Sequence, residues 1–156
     1  MKAVLFALPL SFGLLSLTAA AGDEPLAASV PETGNLVVTA RFAEPATGIV
    51  NVAIYATADN FLRRPVASVE VPLHDGIAEA TFTNLAYGEY AVSAYLDLDG
   101  DNKLDSVWFG APAEPVGTSN NARGNFGPPA WEDARFAFAT EAAAIAFELH
   151  CPVGCD

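Results

Sequence analysis

The chain has 156 residues, with 7 Lys and Arg against 19 Asp and Glu, and a formal net charge of −12 at neutral pH. That length suits one domain. Such an acidic balance makes the chain a poor partner for nucleic acid or anionic membrane, because Lys and Arg drive binding there, and it favours solubility and cation binding.

The first segment reads as a leader. Lys2 carries the positive charge, Ala3 to Leu17 form an apolar run, and Ala19, Ala20 and Ala21 precede Gly22. This is the layout of a secretory signal peptide, with cleavage expected after Ala21 or, as the near alternative, Ala20. The run is shorter than the roughly 20 apolar residues of a membrane span, and its C-terminal flank is acidic. The expectation is an exported protein, periplasmic or extracellular, with no membrane span once residues 1–21 are removed. Residues 22–34, rich in polar residues with Pro25 and Pro31, read as an arm or linker.

Period-two alternation begins next. Leu36, Val38, Ala40 and Phe42 share one face of a strand; Val50, Val52, Ile54 and Ala56 share one face of a second. ADNFLRRP (residues 58–65) is a loop, its Arg63-Arg64 doublet solvated. VASVEVPL and IAEATFTNL follow, joined at His74-Asp75-Gly76, a strong hairpin signal. Pro72 cannot donate a ladder hydrogen bond, so its strand belongs at an edge. Tyr90, Val92, Ala94 and Leu96 share a face of a fifth strand. Two last runs place Phe136 with Phe138, and Ile145 with Phe147 and Leu149. Seven short strands with no helical stripe predict an all-β fold over 35–150: an antiparallel, immunoglobulin-like sandwich with one long ordered loop.

The fifth strand runs into DLDGDNKLD at 97–105. Calcium takes six to eight oxygen ligands, and a curled loop can supply several from alternate residues. Counted as an EF-hand-type loop, the candidates are Asp97, Asp99, Asp101, Lys103 through its carbonyl, and Asp105. Asn102 stands where the loop needs positive φ, which Asn tolerates. Leu104 occupies the position expected to enter the core. Trp108 stands where the bidentate Glu would be, and the flanks are not helices, so a further ligand has to come from elsewhere. Glu114, Glu132 and Asp133 are the candidates. The expected cofactor is Ca²⁺.

Residues 106–133 lack a regular period and contain Trp108, Phe109, Phe126 and Trp131. Disordered segments are poor in aromatics, so this reads as an ordered excursion. Either it covers an open end of the core or it forms a ligand surface, for which Trp108, Asn120, Asn121 and Trp131 are the candidates. A cleft there would suit a small ligand; a flat aromatic patch would suit a partner surface. No nucleophile–base motif, zinc-protease motif or phosphate-cradling loop is present, and no residue set supports a catalyst.

The tail, residues 151–156, follows His150 and carries both cysteines, Cys151 and Cys155. Export favours a disulfide between them, closing a very short loop. A His150–Cys151–Cys155 metal site is the alternative, but structural zinc normally takes four ligands.

From Gly48 to Leu149 the chain resembles the exported bacterial family DUF2141. The resemblance rests on GIVNVAIY at 48–55, FL at 61–62, FTNLAYGEYAV at 82–92 and the acidic loop. It continues with FGAPAEPVG at 109–117, SNNARG at 119–124 and GPPAWEDARF at 127–136. Thr118 stands where the family usually has an aromatic residue. The 82–92 turn is also similar to prealbumin-like and Cna-B-like sandwich modules. The family name implies no activity. The expected function is therefore that of an exported binding or structural module with a calcium-binding loop. The alternative is a small-ligand carrier or enzyme with its site in 106–133, and the ligand or partner and the oligomeric state stay open.

Overall fold

The computed structural model describes residues 32–154. The leader, nearly all of the N-terminal arm, and Cys155 lie outside the described residues. Eight strands run in chain order: β1 Thr33–Arg41, β2 Ile49–Tyr55, β3 Ala67–Pro72, β4 Ile77–Ala86, β5 Gly88–Asp97, β6 Val116–Thr118, β7 Phe136–Phe138 and β8 Ala142–Glu148. One sheet has the order β4-β1-β8. The other has the order β3-β2-β5-β6, with β7 also pairing β5. The one α-helix among the described residues, α1, is a single turn at Trp131–Ala134. No helix among them is long and apolar enough to cross a membrane.

The alternation read in the sequence is the burial seen in the fold. Leu36, Val38, Ala40 and Phe42 of β1 and the segment after it meet Val50, Val52 and Ile54 of β2 and Tyr90, Val92, Ala94 and Leu96 of β5. Ala78, Ala80 and Phe82 of β4, with Phe138, Phe147 and Leu149, complete the core. Burying each large aliphatic or aromatic side chain contributes roughly 1.5–3 kcal/mol. Asp75 and Gly76 both have positive φ, at 50° and 75°, as a tight primed hairpin turn requires. A Cβ on Gly76 would lie 2.5 Å from the Phe42 carbonyl oxygen, so the turn needs glycine for space as well as for conformation. Pro72 lies on β3, which among the described residues pairs only with β2 and is an edge strand, as expected.

Two features differ from the sequence reading. Among the described residues the strands number eight, the extra one being β6. It is three residues long and sits inside the excursion, too short to show a period. The pairs are antiparallel with one exception: β1 and β8 run parallel over Asn35–Arg41 and Ala142–Glu148. Side-chain alternation is the same for either direction, so the sequence pattern carries no information on this point.

One flank of the sandwich is closed. Val116 and His150 form an isolated antiparallel bridge between the two sheets. Gly117 lets β6 approach β8 there, since a Cβ would lie 2.6 Å from the Glu148 carbonyl oxygen. The opposite flank, between edge strands β3 and β4, holds a shallow groove of about 430 Å³.

The free edge of β5 is covered in three pieces. β6 pairs Ser93–Tyr95, β7 pairs Gly88–Tyr90, and neither reaches Val92. The Ser119 hydroxyl fills that gap. It accepts the Val92 N–H at 3.0 Å and donates to the Ala134 carbonyl at 2.6 Å. Ser119 is 1% exposed, so water cannot substitute without a packing change. Ser119→Ala strands a buried donor and a buried acceptor, at a cost of about 1–3 kcal/mol for each group. Thermal denaturation should show a fall in Tm of several degrees. An unchanged Tm would show that the hydroxyl is not needed to complete this edge.

Candidate metal centre

Strand β5 delivers the acidic loop. Asp97, its last residue, shares the outer face with Tyr95 and is 1% exposed. Its Oδ1 accepts the Gly100 N–H at 2.7 Å and its Oδ2 accepts the Asn102 N–H at 2.9 Å. Burial opposes the charge on Asp97. The amides of Asn102 and Gly100, a side-chain hydrogen bond with Asp99 and the Asp101 amide outweigh that effect and hold its pKa below the ordinary 3.8. The loop then curls through local turns in which a side chain caps an amide two residues on: Asp99 Oδ1 accepts the Asp101 N–H and Asp101 Oδ1 accepts the Lys103 N–H. Asn102 has φ 59°, the positive value expected at that position.

The ligand atoms of Asp97, Asp99 and Glu114 lie within 4.8 Å of one another. The carboxylates of Asp101 and Asp105 are outside this group. Asp101 instead pairs with the Lys103 ammonium at 3.6 Å, an exposed contact inside the loop. Of the three candidates for a further ligand, Glu114 is the one brought in; Glu132 pairs with Arg135 beside α1.

Glu114 is 5% exposed and holds both ends of the loop. Its Oε1 accepts the Leu98 N–H at 2.9 Å and its Oε2 accepts the Asp105 N–H at 3.1 Å. A short hairpin carries it back. Ser106 bridges Pro112, Val107 N–H donates to the Ala111 carbonyl at 2.9 Å, and Ala113 N–H donates to the Asp105 carbonyl at 2.9 Å. The Tyr95 phenol faces the same cluster. Burial first, then the charges of Asp97, Glu114, Glu70 and Asp101, push its pKa up.

Leu104 is 42% exposed, which corrects the expectation that it enters the core. The flanks here are a strand and a hairpin, so no helix pair supplies an apolar floor beneath it.

The candidate ligand residues of the excursion are not equivalent. Trp108 is 94% exposed and Phe109 58% exposed at the hairpin tip, their rings edge to face at 5.2 Å. Trp131 packs edge to face on Phe61 in a small cluster with Tyr55, Ala91 and Ala134. The Asn120 amide donates to the Asp133 and Arg135 carbonyls at 3.1 and 3.0 Å. Asn121 Oδ1 accepts the Glu148 N–H at 2.7 Å, on the edge of β8. Both asparagines have positive φ, which this residue type tolerates. Neither of two shallow grooves, one on the open flank and one between residues 42–47 and 73–76, is lined by any of these four candidates. In the tail, Cys151 is half-buried, and its proposed partner Cys155 lies outside the described residues.

A family model described as "Uncharacterized protein conserved in bacteria (DUF2141)" matches residues 38–146. The chain belongs to the DUF2141 family. No curated protein and no solved structure matches it. The DUF2141 segment takes in strands β2 to β7, the acidic loop, the hairpin and Ser119. Motifs quoted from the sequence now have physical roles. FGAPAEPVG carries the clamp Glu114 and the first residues of β6, and SNNARG carries Ser119 and the two asparagines that tie the excursion down. Thr118, where the family usually has an aromatic residue, is 6% exposed and donates its hydroxyl to the Ala122 carbonyl at 2.7 Å. Sequence reasoning missed Ser119. Its only signal was membership of SNNARG, since a buried serine leaves no periodic mark.

The amide cradle around Asp97 has a pH consequence. Because its folded pKa is depressed, its contribution to stability is fully present above the unfolded value near 3.8 and is lost as pH falls through the folded value. Asp97→Asn replaces one acceptor by a donor that faces an N–H. Urea denaturation in metal-free buffer should find Asp97→Asn less stable than the parent at neutral pH, with the gap closing below about pH 4. A gap that does not change with pH would contradict this role.

Proposed function

We propose that this DUF2141 protein is an exported, non-catalytic β-sandwich module whose acidic loop binds one calcium ion through Asp97, Asp99 and Glu114. The observation that carries the reading is the approach of three carboxylates within 4.8 Å, two of them nearly fully buried. Oxygens bound to one calcium ion at 2.3–2.6 Å lie at most about 5 Å apart, so the spacing is compatible with a shared ion. Hard carboxylate oxygens are also the donor type calcium prefers. Each carboxylate oxygen has two acceptor positions, and the amides already bound to Asp97 and Glu114 use one apiece. The ion's charge would relieve the repulsion among the three carboxylates. Backbone carbonyls of the loop, Lys103 included, and water would fill the remaining coordination positions. Asp101 and Asp105 would act through the field of the loop rather than as direct ligands.

The test is a thermal melt with excess calcium and with chelator. Binding to the folded state alone raises stability by about 2.7 kcal/mol at a hundredfold excess over Kd. The parent should melt several degrees higher with calcium, and Asp99→Ala, a change at an exposed residue, should lose that difference. Identical melting curves in calcium and in chelator would sink the reading.

The exposed Trp108–Phe109 pair favours recognition of a partner surface over carriage of a small ligand. Asn120, Asn121 and Trp131 are occupied with holding the excursion together. Because Glu114 joins the loop to the hairpin, calcium should be felt at Trp108. Tryptophan emission should change on adding calcium, and the change should disappear in Trp108→Phe while Trp131 remains as an internal reference. A calcium response that survives Trp108→Phe would place the coupling elsewhere.

Export is supported by the leader-like layout of residues 1–21, and an oxidising compartment would favour a bridge between Cys151 and Cys155. In the exported protein the two thiols should resist alkylation until reduced. Ready alkylation without reductant would argue against the bridge.

A further inference from the structure

No further inference is drawn: the strongest candidate, the shallow apolar groove on the open flank of the sandwich between β3 and β4, carries nothing because nothing in the structure shows what covers it.

Discussion

The Glu114 carboxylate holds the acidic loop at both ends, one oxygen on the Leu98 amide and the other on the Asp105 amide. The local architecture follows from that grip. It fixes where β5 stops and where the hairpin starts. It returns the chain directly to Pro115, whose carbonyl accepts the Leu96 N–H at 2.9 Å, and so into β6. A carboxylate is well suited to the task. It offers two oxygens with spare acceptor positions, so it can bind two amides and still face a cation. It also brings a buried negative charge, 5% exposed, beside Asp97 and Asp99. Two nearly buried carboxylates so close together are costly without compensation. Backbone amides supply part of it, and a divalent cation would supply the rest.

This arrangement divides one stretch of chain between closing the sheet and an exposed tip. The outer edge of β5 is completed by β6, the Ser119 hydroxyl and β7, so the excursion from 106 to 133 is largely committed to closing the sheet. Asn120 and Asn121 spend their amides on backbone groups of the α1 end and of β8. What the fold leaves uncovered is the hairpin tip, where Trp108 and Phe109 are exposed. A metal held by Asp97, Asp99 and Glu114 would stiffen the base of that hairpin without performing chemistry.

Much of the fold was legible because one buried face per strand forces a period of two. β1, β2 and β5 have their core residues where alternation put them, and Asp75-Gly76 and Pro72 have the turn and edge roles their backbones dictate. The parallel pairing of β1 with β8 was not legible, because alternation is blind to strand direction. β6 was hidden because three residues with a central glycine show no pattern. At the site, the sequence pointed to the loop and to the positive φ of Asn102. Its expectation for Leu104 was borrowed from loops that sit between two helices. With a strand and a hairpin as flanks, Leu104 turns outward, and the third carboxylate comes from Glu114. Glu114 could be named from the sequence but not ranked, because its nearness depends on the length of the intervening hairpin.

The central claim is that Glu114, and not the far end of the acidic loop, completes the cation site. Calorimetric titration of calcium into metal-free protein tests it most directly, comparing the parent with Glu114→Gln and Asp101→Asn. The account predicts one site in the parent, retention of binding with modest weakening in Asp101→Asn, and loss of binding in Glu114→Gln while that variant stays folded by circular dichroism. Unchanged calcium affinity in a folded Glu114→Gln, or binding abolished only by Asp101→Asn, would contradict it.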